Sequence, residues 1–299
     1  MNKKFSLRQF RIKYGTHSEC LEAIKKLKYP DEMECSSCKR LSVFYSVTSR
    51  TAYACKFCGF HIYPLAGTIF EKSTTPLDLW FFAMYLMVTT RSGTSAKQLE
   101  RMLGVTYKTA WRMFKQIRIL MAETEGDLLN GIVEIDETYV GGKGTNRAHE
   151  WRADVKKEVV WGAVERKGKT YLKHVPSAEK YTLLKELKAH VDTKAHVMSD
   201  EAGTYRYLYD FGYFNHFSVN HSMKEFGRGL VHSNTIEGVW SQLKRGITGV
   251  YRHVSKEYLQ DYVNEYAWRY NHRNNQGKMF ELLLRQVVEV RTLKVLPLS

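Results

Sequence analysis

Apolar residues recur at helical spacing over residues 75–121 of the chain. Within this stretch a first amphipathic helix ends at Gly104, and Val105 and Thr106 form a short turn before a second helix. Threonine favours the start of a helix, because its hydroxyl can accept a bond from a backbone amide. The pattern predicts a helix-turn-helix, and an ordinary helical hairpin with a basic outer face fits it nearly as well.

Apolar and polar residues alternate in the middle of the chain, which is the period of a β-strand. The run 132–140 predicts a first strand, and the runs 159–164 and 170–175 predict two more. The pair Lys167-Gly168 is typical of a tight turn, so the last two strands are expected to form a hairpin. Three antiparallel strands are therefore predicted.

Helices and strands alternate over the rest of the chain. A helix is predicted over residues 177–191 with Ser177 as its N-cap, followed by short strands over 195–198 and 214–219. Residues 234–273 again show helical spacing. The order of three strands, helix, strand, strand and helix predicts a mixed α/β domain.

Composition narrows the class of function. Lys and Arg number 46 against 31 Asp and Glu, which gives the 299 residues a formal charge of +15 and makes a polyanion the expected partner. No window supplies the ~20 apolar residues of a membrane span, and the first residues lack the hydrophobic core of a secretion signal. We therefore expect a cytoplasmic, nucleoid-associated protein with no membrane partner.

Four of the five cysteines form the pattern C-x2-C-x16-C-x2-C. At this spacing two tight turns each present two thiolates to one tetrahedral Zn²⁺, so the sequence predicts a zinc ribbon. Gly59, directly after the last cysteine, is expected to have a left-handed backbone. Four thiolates close the coordination sphere, and the zinc is therefore expected to be structural. The expected ligands are Cys35, Cys38, Cys55 and Cys58, and the ribbon side chains expected to contact DNA are Lys39, Arg40, Arg50 and Lys56.

Acidic residues stand where two strands and a helix could bring them together. Alternation places Asp136 on one face of the first strand with Glu134, and places Glu137 on the other. Asp200 ends a later predicted strand, and Glu237 lies at the start of the last long helical region. Carboxylates gathered in this way suit two Mg²⁺ or Mn²⁺ ions, which take oxygen ligands. An acid of this kind taken alone is more often structural, as a helix cap or as the partner of a lysine, and it is the joint occurrence of the three that favours chemistry.

Several motifs together resemble the zinc-ribbon group of bacterial insertion-sequence transposases with a DDE-type catalytic domain. They are the cysteine cluster, the helix-turn-helix, IDETYVGGK (135–143), MSD (198–200), HSNTIEGVW (232–240) and LKRG (243–246). The resemblance covers nearly the whole chain and implies an α/β catalytic domain of the RNase H-like class. It also implies that Asp136, Asp200 and Glu237 bind the two Mg²⁺ ions.

The resemblance offers two residues for the third metal position, since the family carries either Asn or Glu there. Glu237 is preferred because a carboxylate is the better Mg²⁺ ligand and because Lys244, seven residues on, matches the spacing in related transposases. Asn234 is the alternative ligand, or otherwise a helix cap. Lys244 is counted with the catalytic residues, and it would hold the phosphate backbone together with Arg245.

The implied organisation has four parts: a zinc ribbon over 1–70, a helix-turn-helix over 75–125, the catalytic domain over 130–275 and a helical tail over 276–299. The implied function is a transposase that binds the terminal inverted repeats of its element, cuts a strand with Mg²⁺ and joins it to target DNA as a homo-oligomer. The side chains expected to bind DNA outside the ribbon are Lys108, Arg112, Lys115 and Arg245.

Two other functions fit the same motifs. A zinc-ribbon and helix-turn-helix regulator would bind DNA without metal-dependent nicking. An RNase H-like nuclease would cut without joining. Trp240, next to the acidic residues, could stack on DNA, although helix residues at apolar spacing more often belong to the core.

Overall fold

The computed structural model describes residues 5–122, 126–141, 157–200, 203–218 and 231–289. Gly142 and Lys143 of the first acidic motif, and residues 290–299 of the predicted tail, lie outside these ranges. Contacts divide the chain into two compact units, Met1–Leu120 with Asn275–Ser299, and Met121–Asn274. The finer division into four parts stays a prediction.

The first unit begins with two helices that the sequence analysis did not predict, α1 (Leu7–Tyr14) and α2 (His17–Lys28). Each starts with a capping box, in which a hydroxyl and a side chain three residues later satisfy each other's backbone amides. The pairs are Ser6 with Gln9 and Thr16 with Glu19. These S-x-x-Q and T-x-x-E patterns are sequence signals that predict both helices.

A small antiparallel sheet follows, with its strands in chain order. The strands are β1 (Glu32–Glu34), β2 (Leu41–Val47), β3 (Ala52–Cys55) and β4 (His61–Ile62). Three helices complete this stretch: α3 (Leu77–Thr89), α4 (Ala96–Leu103) and α5 (Tyr107–Leu120). The helix, turn and helix predicted within 95–117 are all present, since Gly104 ends α4 with φ 65° and the Thr106 hydroxyl accepts the Thr109 amide at 3.3 Å.

The second unit is built on a five-stranded mixed sheet. Its strands are β5 (Ile132–Val140), β6 (Glu158–Glu165), β7 (Thr170–Val175), β8 (His196–Ser199) and β9 (His216–Ser218), and its helices are α6 (Lys180–His190), α7 (Asn234–Gly246) and α8 (Leu259–Asn271). The strand order is β7-β6-β5-β8-β9, with β5 antiparallel to β6 and parallel to β8. The predicted mixed α/β fold of the RNase H-like class is confirmed.

Helices cover both faces of this sheet, and each face has its own core. Val133 and Ile135 of β5 pack in the core that includes α6, whereas Val140 packs with α7 and α8. The faces predicted from alternation in 132–140 are therefore correct. Asp136 and Glu134 lie on the α7 face, and Glu137 lies on the α6 face.

Several boundaries differ from the sequence-based expectations. The strand predicted over 214–219 starts at His216, and residue 219 lies outside the described residues. The helix predicted over 177–191 starts at Lys180, and its N-cap is Glu179 rather than Ser177. The Ser177 hydroxyl instead accepts the Glu179 amide at 3.4 Å and lies 3.3 Å from the Thr182 hydroxyl. The helical region 234–273 is divided between α7 and α8 by a π-helical turn at Ile247–Tyr251 and a short 3-10 turn.

The final helix, α9 (Met279–Glu289), belongs to the first unit. The Phe280 ring centroid lies 5.5 Å from that of Phe10, 5.2 Å from that of Tyr14 and 5.9 Å from that of Phe81. The residues assigned to a separate tail thus contribute to an aromatic core. No helix among the described residues is long and apolar enough to cross a bilayer.

Candidate zinc and catalytic sites

Two matching turns present the cysteines of the small sheet. The residue after the second cysteine of each pair, Lys39 or Gly59, donates its amide to the carbonyl of the first, Cys35 or Cys55, at 2.8 and 3.0 Å. Both residues have a left-handed backbone, with φ 59° at Lys39 and 70° at Gly59. The expected role of Gly59 is therefore confirmed, and Lys39 adopts the same conformation at a steric cost of about 1 kcal/mol.

The four thiols fit one tetrahedral zinc ion. Their Sγ atoms all lie within 4.8 Å of one another, with Cys35 and Cys58 3.6 Å apart and Cys38 and Cys55 3.9 Å apart. Zn–S bonds of ~2.3 Å require sulfur atoms about 3.8 Å apart. A zinc ion held by these four thiolates would have no position left for water or substrate, so its role would be structural.

Basic side chains on the ribbon are accessible. Lys39, Arg40, Arg50 and Lys56 are all exposed. The Arg40 guanidinium lies 5.5 Å from the centre of the Phe57 ring, and Phe57 is itself 51% exposed. An exposed cation beside an exposed ring can contact both phosphates and bases.

The helix-turn-helix residues differ in what they contact. Lys108 is exposed in the first turn of α5. Arg112 is half-buried, donates to the Ser73 hydroxyl at 3.1 Å and lies 5.8 Å from the Trp80 ring centre. Lys115 is half-buried as well. Lys108 is thus the best placed of the three, and contact of any of them with DNA stays a prediction.

Asp136 sits in the middle of β5, facing α7. Its Oδ2 accepts a hydrogen bond of 2.8 Å from the indole N–H of Trp240. The pKa of Asp136 is raised to about 7, mainly by burial; the Trp240 bond lowers it, and the charges of Asp200 and Glu137 raise it. A largely buried carboxyl that titrates near neutral pH is typical of a functional site.

The contact between Trp240 and Asp136 depends on a glycine. Gly162 on β6 lies directly opposite Asp136. A Cβ at this position would lie 2.5 Å from the Trp240 ring and 2.9 Å from Leu172. Trp240 is only 5% exposed, so its indole is a buried hydrogen-bond donor to the acid rather than a surface for stacking on DNA.

Asp200 is brought to Asp136 by the parallel pairing of β5 and β8. It directly follows β8, and its charge raises the pKa of both Asp136 and Glu137, although burial is the larger cause for each. Glu137 was not identified as a site residue from the sequence. It accepts a 2.8 Å bond from the hydroxyl of Tyr205, a 1% exposed residue in the turn that follows Asp200.

The remaining predicted site residues lie on α7 and are exposed: Asn234, Glu237, Lys244 and Arg245. Successive residues of a helix are rotated by about 100°, so Glu237 and Lys244 lie about 60° and 40° to one side of Trp240, and Asn234 about 120° to that side. The Glu237 carboxylate accepts from the Ser233 hydroxyl at 3.4 Å. Among the described residues, the four cysteines are the only group of three or more possible metal ligands whose ligand atoms lie within 4.8 Å of one another. The carboxylates of Asp136, Asp200 and Glu237 therefore do not all lie within this distance of one another.

Comparisons with known proteins point to one family. Residues 128–271 match the ISXO2-like transposase domain. The chain is 30% identical over 274 residues to an uncharacterized protein in the transposable element ISH50 of Halobacterium salinarum, an alignment that spans 85% of this chain and 91% of the relative. It is also 31% identical over 123 residues to an uncharacterized transposase-like protein of Haemophilus influenzae. This alignment spans 41% of this chain and 96% of the relative.

Proposed function

Because this chain belongs to the ISXO2-like family of insertion-sequence transposases, we propose that it cuts and joins DNA at a single carboxylate site. The observation that carries the proposal is the proximity of Asp136, in the middle of β5, to Asp200, which directly follows the adjacent parallel strand β8. The pKa of Asp136 is raised to about 7, mainly by burial, and electrostatic repulsion from the Asp200 carboxylate acts in the same direction. Bound cations offset such repulsion between carboxylates.

Asp136, Asp200 and Glu237 would hold two Mg²⁺ or Mn²⁺ ions, whose preferred ligands are carboxylate oxygens. Bound cations would supply activation of water and of a 3′-hydroxyl, and they would neutralise charge at the phosphorus. Glu237 is supported over Asn234 as third ligand because it lies closer in rotation to Trp240, which touches Asp136. Asn234 would then stand outside the metal site.

The residues of the site have separate roles in this proposal. Asp136 loses its proton before it can bind a cation, and the Trp240 indole fixes the orientation of the carboxylate. Lys244, on the same side of α7 as Glu237, would hold a phosphate of the bound strand, and Arg245 would add a second charge. Hydrolysis transfers the water oxygen to phosphorus and leaves a 3′-hydroxyl, which then displaces the 3′ oxygen of a target strand.

DNA recognition would use the ribbon and the helix-turn-helix. Exposed Arg40 with Phe57 and exposed Lys108 are the best placed groups, and the formal charge of +15 favours a polyanion. The ligands would be the terminal inverted repeats and target DNA. Two ends joined in one reaction call for a homo-oligomer.

Nicking of a labelled duplex that carries the ends flanking the gene tests the third ligand. With Mg²⁺, Glu237→Gln should slow nicking by about 100-fold or more, because loss of a cation ligand removes several kcal/mol of transition-state stabilisation. Asn234→Ala, on the same exposed helix, is the matched control and should nick within a few-fold of wild type. Both variants should bind the duplex normally.

The opposite ranking, with Asn234→Ala inactive and Glu237→Gln active, would transfer the ligand role to Asn234. Binding by the wild type without any nicking in Mg²⁺ or Mn²⁺ would favour a DNA-binding regulator. Nicking that is never followed by joining would favour a nuclease.

A further inference from the structure

Glu134 is a fully buried carboxylate, two residues before Asp136 on the same face of β5. One oxygen, Oε2, accepts the backbone amides of Thr235 and Ile236 at 2.8 and 3.0 Å. The other, Oε1, accepts the Thr235 hydroxyl at 2.8 Å and Nε of Arg166 at 2.6 Å. The charge is therefore both paired and hydrogen-bonded, as a buried carboxylate requires.

These bonds supply the N-terminal cap of α7. The first amides of a helix have no partner within it, and a negative charge at this end is stabilised by the helix dipole. Among the described residues, the N-cap position Ser233 makes no side-chain cap bond to α7. The cap comes instead from Glu134, about 100 residues earlier in the chain and on the strand that carries Asp136.

Arg166 extends the attachment to the residues before the helix. It follows β6 directly, pairs with Glu134 and donates through its second amino group to the carbonyl of His232 at 2.9 Å. The segment leading into α7 and its first turn are thus held by the same ion pair.

A second attachment lies one turn further along α7, where the Trp240 indole bonds Asp136. From Glu134 to Asp136 a strand rises about 6 to 7 Å, and from Ile236 to Trp240 a helix rises about 6 Å. The two spacings match, so strand and helix are fixed against each other at both points. Glu237 lies between them.

We propose that Glu134 is a positioning residue, which with Arg166 sets the position of Glu237 relative to Asp136. The proposal rests on the proposed function, because it concerns the third ligand of that metal site. Glu134 itself does not face the cations, since both of its oxygens are already bonded within the protein.

The test compares Glu134→Gln with Glu265→Gln. Glu265 is an equally buried carboxylate of the same unit, bonded by Arg269 at 2.8 Å on α8, so its loss costs comparable stability away from the site. Nicking is measured against Mn²⁺ concentration. Glu134→Gln should raise the half-saturating Mn²⁺ concentration at least ~10-fold, the usual effect of losing a residue that orients a metal ligand. Glu265→Gln should leave it unchanged.

A second readout does not depend on activity. Hydrogen exchange at the amides of Thr235 and Ile236 should accelerate by ~10-fold or more in Glu134→Gln, while exchange at Trp161 in the sheet core stays slow. If the wild type never nicks, the proposed function fails, and the exchange result still reports whether the cap exists.

Thr235→Val removes one of the bonds to Glu134 and keeps both backbone amides. Thr235→Val should raise the half-saturating Mn²⁺ concentration by a smaller factor than Glu134→Gln. If Glu134→Gln does not fold, Thr235→Val serves as the test. The proposal is overturned if folded Glu134→Gln, or Thr235→Val in its place, keeps the wild-type Mn²⁺ half-saturation while Glu237→Gln loses nicking.

Discussion

With Mg²⁺ held below saturation, the rate of strand cleavage should rise roughly tenfold for each unit of pH increase up to about pH 7. Above that pH the rate should level off. Burial raises the pKa of Asp136 to about 7, with Asp200 and Glu137 acting in the same direction. A protonated carboxyl does not bind a cation, so the competent fraction grows until the group is ionised. The measurement is the initial nicking rate from about pH 5.5 to 8.5.

Two tryptophan variants test the assignment to Asp136. The indole of Trp240 lowers the pKa of Asp136, so Trp240→Phe should move the inflection to higher pH. Trp268→Phe removes an indole buried to a similar degree in the same unit and should leave the inflection in place. A rate that is flat with pH, or an inflection that ignores Trp240→Phe, would contradict the assignment.

Ionisation of Asp136 should lower the stability of the folded protein as pH rises, whereas it raises the rate of cleavage. Because the pKa of Asp136 is raised on folding, its contribution to stability is fully present below about pH 4 and is lost as pH rises through 7. Without added metal, Asp136→Asn should therefore be more stable than wild type at pH 8, by on the order of 2 kcal/mol. Urea unfolding at about pH 5 and pH 8 measures this difference.

Gly162→Ala should both destabilise the second unit and impair cleavage. The added Cβ would lie 2.5 Å from the Trp240 ring, so the ring must shift and its bond to Asp136 is strained or lost. Overpacking of this kind costs about 1 to 3 kcal/mol. We expect cleavage to fall by roughly 100-fold, because small displacements at a reacting centre have large effects on rate.

Gly238→Ala is the matched control, since a Cβ at Gly238 meets no described atom within 4 Å. Gly238 lies inside α7, where alanine is the better helix former by up to ~1 kcal/mol. This variant should be as stable as wild type or slightly more stable, and as active. Equal behaviour of the two glycine variants in unfolding and cleavage assays would contradict the role given to Gly162.

Local patterns predicted most of the sheet. Alternation over 132–140 gave the bounds of β5 and its two faces, and Lys167-Gly168 gave the hairpin between β6 and β7, because both depend on residues near in sequence. The spacing of the cysteines likewise predicted that the four thiols lie together, because each pair is formed by residues near in sequence. The start of α6 was missed because Ser177 bonds in its own loop instead of capping the helix.

The contacts around Asp136 could not be predicted in this way. Trp240 follows Asp136 by 104 residues, and their bond exists only because α7 returns to the face of β5. The cap that Glu134 gives α7 depends on the same return. A charge within an apolar strand needs a partner, since buried charge is costly, but the partners of Glu134 and Asp136 are set by topology.

The claim that one carboxylate site both cuts and joins is tested most directly by strand transfer. A pre-cut duplex with a free 3′-hydroxyl at the element end and a supercoiled target plasmid are incubated with Mg²⁺ and either the wild type or Asp200→Asn. Asn has the shape of Asp without its charge, so the variant should bind the end normally. We expect the wild type to join the end to the target and Asp200→Asn neither to nick nor to join. Joining by Asp200→Asn at the wild-type rate would contradict it.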